Sequence, residues 1–176
     1  EAALQLVATQ PWNSWKLVTW LAGGKASLKK NLVDTVDPHI ASMPLRAETL
    51  AAIETAKAAG RPVWLASASD HRWVEQIAAR IGGVDGVMGS DGVTNLSGSN
   101  KAGALVERFG HKQFDYIGDH MVDMPVWDAA RRPIVIAQSG GLERAVKRRF
   151  PDAEIIARPR TPIRPYFKAM RPYQWA

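Results

Sequence analysis

Between residues 44 and 157 the chain alternates short apolar runs with amphipathic stretches, and this alternation restricts the fold more than any other feature. Val63-Trp64-Leu65-Ala66, the run at 84–88, Phe114-Asp115-Tyr116-Ile117, the run at 132–137 and the run at 153–157 are each four to six residues long. Runs this short and this apolar read as strands buried on both faces, the habit of parallel sheets. The stretches between them have helical spacing. Leu45, Thr49, Ile53 and Ala56 make one face of a helix over 44–60, and Gly60 suits its C-terminal cap. Further helices are expected over 71–81, 101–109, 124–130 and 141–150. Strand and helix in strict alternation predict a three-layer α/β domain with a parallel sheet and right-handed crossovers.

The first forty residues break this pattern. Residues 1–9, 12–21 and 27–36 read as helices with no strand among them. Pro11 stands where a first helical turn tolerates it. Trp12, Trp15, Leu17, Val18 and Trp20 supply an apolar face, Gly23-Gly24 ends that helix, and Asp37-Pro38 ends the next. Residues 1–43 therefore read as a helical subdomain, with 44–157 as the α/β core and 158–176 as a basic, aromatic segment after it. At 176 residues, 46% apolar and 23% charged, the chain is long enough for one well-packed domain. The absence of cysteine excludes disulfides and thiolate metal sites. No run approaches 18 uninterrupted apolar residues. Glu1 is not a start methionine and no signal peptide is visible, so the chain is expected to begin partway through a protein.

Three points carry chemistry. Gly118 ends the strand at 114–118, and Asp119 and Asp123 follow it four residues apart. If the turn has begun to wind, both carboxylates face one way, and two hard oxygens at a strand's carboxyl end suit Mg²⁺. Ser67 and Ser69 lie between the strand at 62–67 and the helix at 71–81, where backbone N–H groups and a hydroxyl can hold phosphate; Asp70 or Ser69 caps that helix. Lys101 opens the helix at 101–109, where the helix dipole disfavours a cation, and a bound phosphate would account for it. Taken singly, each has a plainer reading: a Gly-Asp turn, a cap, an exposed lysine.

Taken in order, the three points resemble the haloacid dehalogenase-like (HAD) hydrolase superfamily. Ser67 matches the Ser or Thr that ends a strand in the second motif, Lys101 the lysine of the third, and Gly118-Asp119-x-x-x-Asp123 the fourth. The resemblance covers roughly 44–157 and implies a Rossmannoid parallel sheet, residues 1–43 as a helical cap over the strand ends, and a Mg²⁺-dependent phosphatase. In it Asp119 and Asp123 hold the metal, Ser67 and Lys101 act on the phosphoryl group, and Ser69 and Gly118 help bind the substrate. The family's first motif, Asp-x-Asp-Gly, supplies the nucleophile and is absent here; Asp34-Thr35-Val36-Asp37 lacks the glycine and follows three helices. Truncation just upstream of Glu1 is the expectation, and with it a gap in the centre of the sheet lined by Leu65 and Ile117. A relative that never had a nucleophile is the alternative.

The charge lies almost wholly at one end. Residues 131–176 hold 11 Lys and Arg against 3 Asp and Glu, whereas 1–130 hold 12 against 14. A uniformly basic nucleic-acid binder would not look like this, and the tail lacks a recognition-helix pattern. The tail interleaves basic residues with Tyr166, Phe167, Tyr173 and Trp175, a composition that suits a membrane interface. Lys168 to Trp175, with Phe114-Asp115-Tyr116-Ile117-Gly118-Asp119 and Pro125-Val126-Trp127, looks like the HAD-like domains fused ahead of UbiA-type prenyltransferases. That resemblance implies a phosphorylated small molecule or prenyl-linked substrate and a place on the cytoplasmic face of a membrane. It also leaves room for a non-catalytic module that positions the prenyltransferase.

Overall fold

The computed structural model describes residue 40, residues 43–137 and residues 139–157. The helices expected within 1–39 and the tail beyond 157 lie outside the described residues. From residue 44 onward the elements follow the order the sequence implies. Helix α1 (Ala47–Ala58) has Glu48 in its first turn and Lys57 in its last, both favourable to the dipole. Gly60 follows it at φ 67°, a left-handed conformation in which glycine carries no Cβ penalty. Strand β1 (Trp64–Asp70) leads into α2 (His71–Ile81), then β2 (Gly86–Ser90) and α3 (Ser99–Phe109). Strand β3 (Asp115–Gly118), a single 3₁₀ turn (Met121–Asp123), α4 (Met124–Ala129), β4 (Arg132–Ala137), α5 (Gly140–Arg149) and β5 (Glu154–Ala157) complete it.

All strand pairs among the described residues are parallel and helices alternate with the strands, which makes this an α/β fold. The strands form two sheets, β1-β2 and β3-β4-β5, and the break between them agrees with the gap expected in the centre of the parallel sheet. Among the described residues no strand joins β1 to β3. A cavity of about 1060 Å³ lies between them, and Leu65 and Ile117 are on its wall.

Two boundaries differ from the sequence reading for local reasons. β1 runs on through Asp70 instead of ending near Ser67, because its pairing with β2 shifts: Ala66 faces Met88, but the next partner of β2 is Asp70, facing Ser90. Extra residues on one strand of a pair bulge it without ending it. β2 starts and ends two residues later than expected. Its last residue, Ser90, is 1% exposed; its hydroxyl donates to Ala68 O at 2.8 Å and accepts from Leu96 N at 3.0 Å. That hydroxyl draws the strand end and the following loop onto β1.

Helix α3 joins the two sheets. Its buried Ala102 and Leu105 pack with Val126 of α4, against Ala66 and Met88 on one side and Phe114 and Tyr116 on the other. Trp64 of β1 meets Phe109 of α3 edge-on at 5.3 Å, and Phe109 meets Phe114 at 6.2 Å. Edge-to-face aromatic contacts of this kind add to the area they bury. A second cluster, Trp127, Val135, Leu142 and Val146, packs α4 and α5 on the three-stranded sheet, and Tyr116 touches it as well. On the amino side, Arg80 of α2 donates to Ile40 O at 2.8 Å and also to Met43 O, which fixes the approach to α1.

The amino ends of β1 and β3 are tied by charge. Asp115, the first residue of β3, accepts from Arg131 Nε at 2.9 Å and from Arg61, which stands just ahead of β1. Burial pushes the Asp115 carboxyl up, but the hydrogen bonds and charges of Arg131 and Arg61 outweigh it and hold the group below the usual carboxylate range. A depressed carboxylate stabilises the fold above its unfolded pKa of about 3.9, and this is lost as pH falls through the lower folded value. We expect Asp115→Asn to lower the urea midpoint at neutral pH and to be nearly neutral well below pH ~3. An equal deficit at both pH values would show that the charge of Asp115 is not what joins the strands.

Candidate active site

The site forms around the cavity where the carboxyl-end halves of β1 and β3 meet the first turn of α3. In a strand, alternate residues share a face, so Tyr116 and Gly118 point the same way from β3. A Cβ on Gly118 would lie 2.9 Å from Tyr116 Cε1, from Trp127 Cζ2 and from Asp123 Oδ2. The glycine is therefore required by close approach from three sides. Its absent side chain is the space into which Asp123 and the Tyr116 ring fit.

The 3₁₀ turn after β3 carries Asp123 inward. Lys101 Nζ donates to Asp123 Oδ1 at 2.9 Å and to Tyr116 Oη at 3.0 Å, and Tyr116 Oη lies 3.1 Å from the same Asp123 oxygen. Lys101 is 7% exposed and Asp123 5%. Burial pushes the Tyr116 phenol up, and the Asp123 charge and hydrogen bond push it further, so Tyr116 stays protonated as a donor to Asp123. Lys101 does stand in the first turn of α3, after Gly98. What offsets the dipole there is Asp123, a carboxylate brought from 22 residues away.

Asp119 takes a different direction from Asp123. It lies on the cavity wall one residue beyond β3, and Arg46 NH1 donates to its Oδ2 at 2.6 Å. The two aspartates thus have separate cationic partners. The physical reason is the backbone between them: helical geometry begins only at Met121, so the i, i+4 spacing does not run through Asp119.

Ser67 lines the same cavity, half-buried, and its Oγ accepts from Ser69 N at 3.1 Å. Its hydroxyl proton remains available to an acceptor in the cavity. Ser69 is half-buried and gives its N–H to Ser67. Asp70 caps α2, accepting from Arg72 N at 3.1 Å. Ser67, Lys101, Gly118, Asp119 and Asp123 therefore share one cavity wall. Sequence reasoning did not single out Tyr116 or Arg46. Tyr116 had a signal, a hydroxyl-bearing aromatic two residues before a strand-ending glycine. Arg46 had none, since 73 residues separate it from Asp119.

The donor chemistry suits a hard divalent ion only in part. Among the described residues there is no group of three or more Asp, Glu, His or Cys placed to hold a metal. Asp119 alone offers a partly exposed carboxylate at a strand's carboxyl end. Mg²⁺ is commonly held by one or two carboxylates, with waters and phosphate oxygens completing its octahedron, and Asp119 fits such a half-site.

Residues 21–128, more than half of the chain, match the model of the haloacid dehalogenase-like hydrolases. The chain is also similar to the uncharacterized protein y4nM of Sinorhizobium fredii (strain NBRC 101917 / NGR234). The two are 30% identical over 156 residues, which is 87% of this chain and 30% of that protein. The chain thus spans under a third of that relative's length. No solved structure matches.

The buried pair makes a prediction about stability. Asp123→Ala leaves an ammonium in the interior without its counter-charge, and should cost about 3–5 kcal/mol in urea unfolding. Lys101→Met should cost less, because Tyr116 still donates to Asp123. The double change Lys101→Met with Asp123→Leu should recover much of the Asp123→Ala loss, since neither charge is then left unpaired. Additive losses in the double variant would count against direct coupling.

Proposed function

The chain belongs to the haloacid dehalogenase-like hydrolase family, and we propose that it is part of a Mg²⁺-dependent phosphatase acting on a phosphate monoester. The observation that supports this reading best is the arrangement around one cavity. Asp119 stands at the carboxyl end of β3, with the Lys101–Asp123 pair behind it and Ser67 on the facing strand.

Each residue has a role in this reading. Asp119 would hold Mg²⁺, which when bound neutralises phosphate charge and orients the ester for in-line attack. Asp123 fixes Lys101, and Lys101 supplies positive charge behind the phosphoryl site. Ser67 donates its free proton to a phosphoryl oxygen. The nucleophile is a carboxylate outside the 176 residues, since no Asp-x-Asp-Gly run occurs in them. Its oxygen attacks phosphorus as the ester P–O bond breaks and the leaving alcohol takes a proton; water then hydrolyses the aspartyl-phosphate. An extended segment lying between β1 and β3 would carry such a carboxylate to the strand ends beside Asp119.

The lack of that run also favours a second reading, a module that binds or positions a partner without chemistry. The two separate in one experiment. The 176 residues alone should hydrolyse no p-nitrophenyl phosphate. A longer protein that carries an Asp-x-Asp-Gly segment upstream of these residues should do so with Mg²⁺ and lose activity with EDTA. Asp119→Asn in that protein should cost orders of magnitude in kcat, and Ser67→Ala roughly tenfold or less, as expected for one hydrogen bond among several. A longer protein inactive on every phosphate ester would leave the module reading.

The fusion to a prenyltransferase, the prenyl-linked or sugar phosphate substrate and the cytoplasmic membrane face belong to the same proposal. They rest on the sequence of the tail. No helix among the described residues is long and apolar enough to cross a membrane. Arg158, Arg160, Arg164, Lys168 and Arg171 are each worth roughly 1 kcal/mol near an anionic bilayer before screening. The chain should therefore co-sediment with anionic liposomes and be released by salt. Equal binding to neutral vesicles would contradict this.

A further inference from the structure

Arg46 is the one site residue that reaches across the mouth of the cavity from the α1 side. It is the residue just before α1, in an extended conformation, and its side chain makes no cap. It extends to Asp119 on β3, and the side chains of the pair are 37% and 35% exposed. Lys101 contrasts with it. Lys101 is buried, and two of its three protons are engaged by Asp123 and Tyr116. An ammonium so held has little freedom to meet an arriving ligand.

Arg46 has that freedom. Among the described residues, its only hydrogen-bond acceptor is the single Asp119 oxygen. A guanidinium has five donors in a planar fork that matches phosphate. It also stands on the carboxylate that would receive the metal, and two cations compete for one carboxylate. We propose that Arg46 is a phosphate-recognition residue that occupies Asp119 until a divalent ion displaces it, and then turns to the phosphate oxygens of the ligand. The inference rests on the phosphatase reading of this site. It assigns anion recognition to a residue outside the three matched motifs, just ahead of a helix that lines the cavity.

Such an exchange predicts shifts of opposite sign, which a merely structural ion pair would not give. Mn²⁺ is the metal probe, followed by electron paramagnetic resonance, and inorganic phosphate the anion probe, followed by calorimetry with Mn²⁺ present. Circular dichroism checks that each variant is folded. Arg46→Met should bind Mn²⁺ about twofold to fivefold more tightly without phosphate, the range expected for removing one partly exposed ion pair. The same variant should bind phosphate about tenfold or more weakly, because a charge-assisted, two-pronged contact is lost. Arg46→Lys keeps the charge without the fork, so its Mn²⁺ affinity should stay near the wild type while its phosphate affinity falls between the other two. Phosphate bound equally by wild type and Arg46→Met, or Mn²⁺ bound no more tightly by Arg46→Met, overturns the role of Arg46 and leaves the phosphatase reading standing. A wild-type chain that takes up Mn²⁺ but no phosphate counts against both.

Discussion

The contact on which the other site features depend is the buried Lys101–Asp123 pair with Tyr116 at its side. One ammonium on α3 meets one carboxylate on the 3₁₀ turn, and a phenol from β3 bonds to both. Burying two opposite charges gains little net stability, because desolvation consumes most of the Coulomb attraction. What the pair supplies is position. It fixes α3, whose apolar cluster includes side chains of both sheets, against the loop that carries Asp119. Gly118 follows from the same contact, since a side chain there would strike the carboxylate and the ring. The two-residue signal that looked like a flexible turn is a packing constraint.

The second organising element is the division of the sheet. Parallel pairing holds β1 to β2 and β3 to β4 and β5. Between β1 and β3 the described connections are side chains: the Trp64–Phe109–Phe114 stack and the Arg61–Asp115 pair, with Arg46–Asp119 at the opposite end of the cavity. The cavity is therefore bounded by ion pairs at both ends and by half-buried apolar residues along its sides. Such a space suits a site in which charge is held by fixed partners and ligand oxygens enter from one mouth.

Much of this was legible in the sequence. Each strand and α-helix from residue 44 to 157 was recognisable from apolar run length and spacing, because strands covered on both faces read as short, largely apolar runs. Lys101, Asp119 and Asp123 were recognisable because each sits near the start or end of an element, where unsatisfied groups select distinctive residues; Ser67 was recognisable because it follows the apolar run of β1, although the strand continues past it. Boundaries were off by two or three residues where a side chain overrode the local pattern, as Ser90 does at the end of β2 and the bulge does after Ala66.

What the sequence by itself determined is the order of elements and the residue types at their ends, since both follow from periodicity and from the chemistry of caps and turns. What only the tertiary structure decided is partnership. Local spacing suggested that Asp119 and Asp123 act as a pair; folding gives one to Arg46 and the other to Lys101. Spacing along a chain fixes which side chains share a face only where the backbone is regular, and the residues between β3 and Met121 are not. An ion pair spanning 73 residues leaves no local trace, because its energy depends on where two elements meet and not on the residues beside either partner.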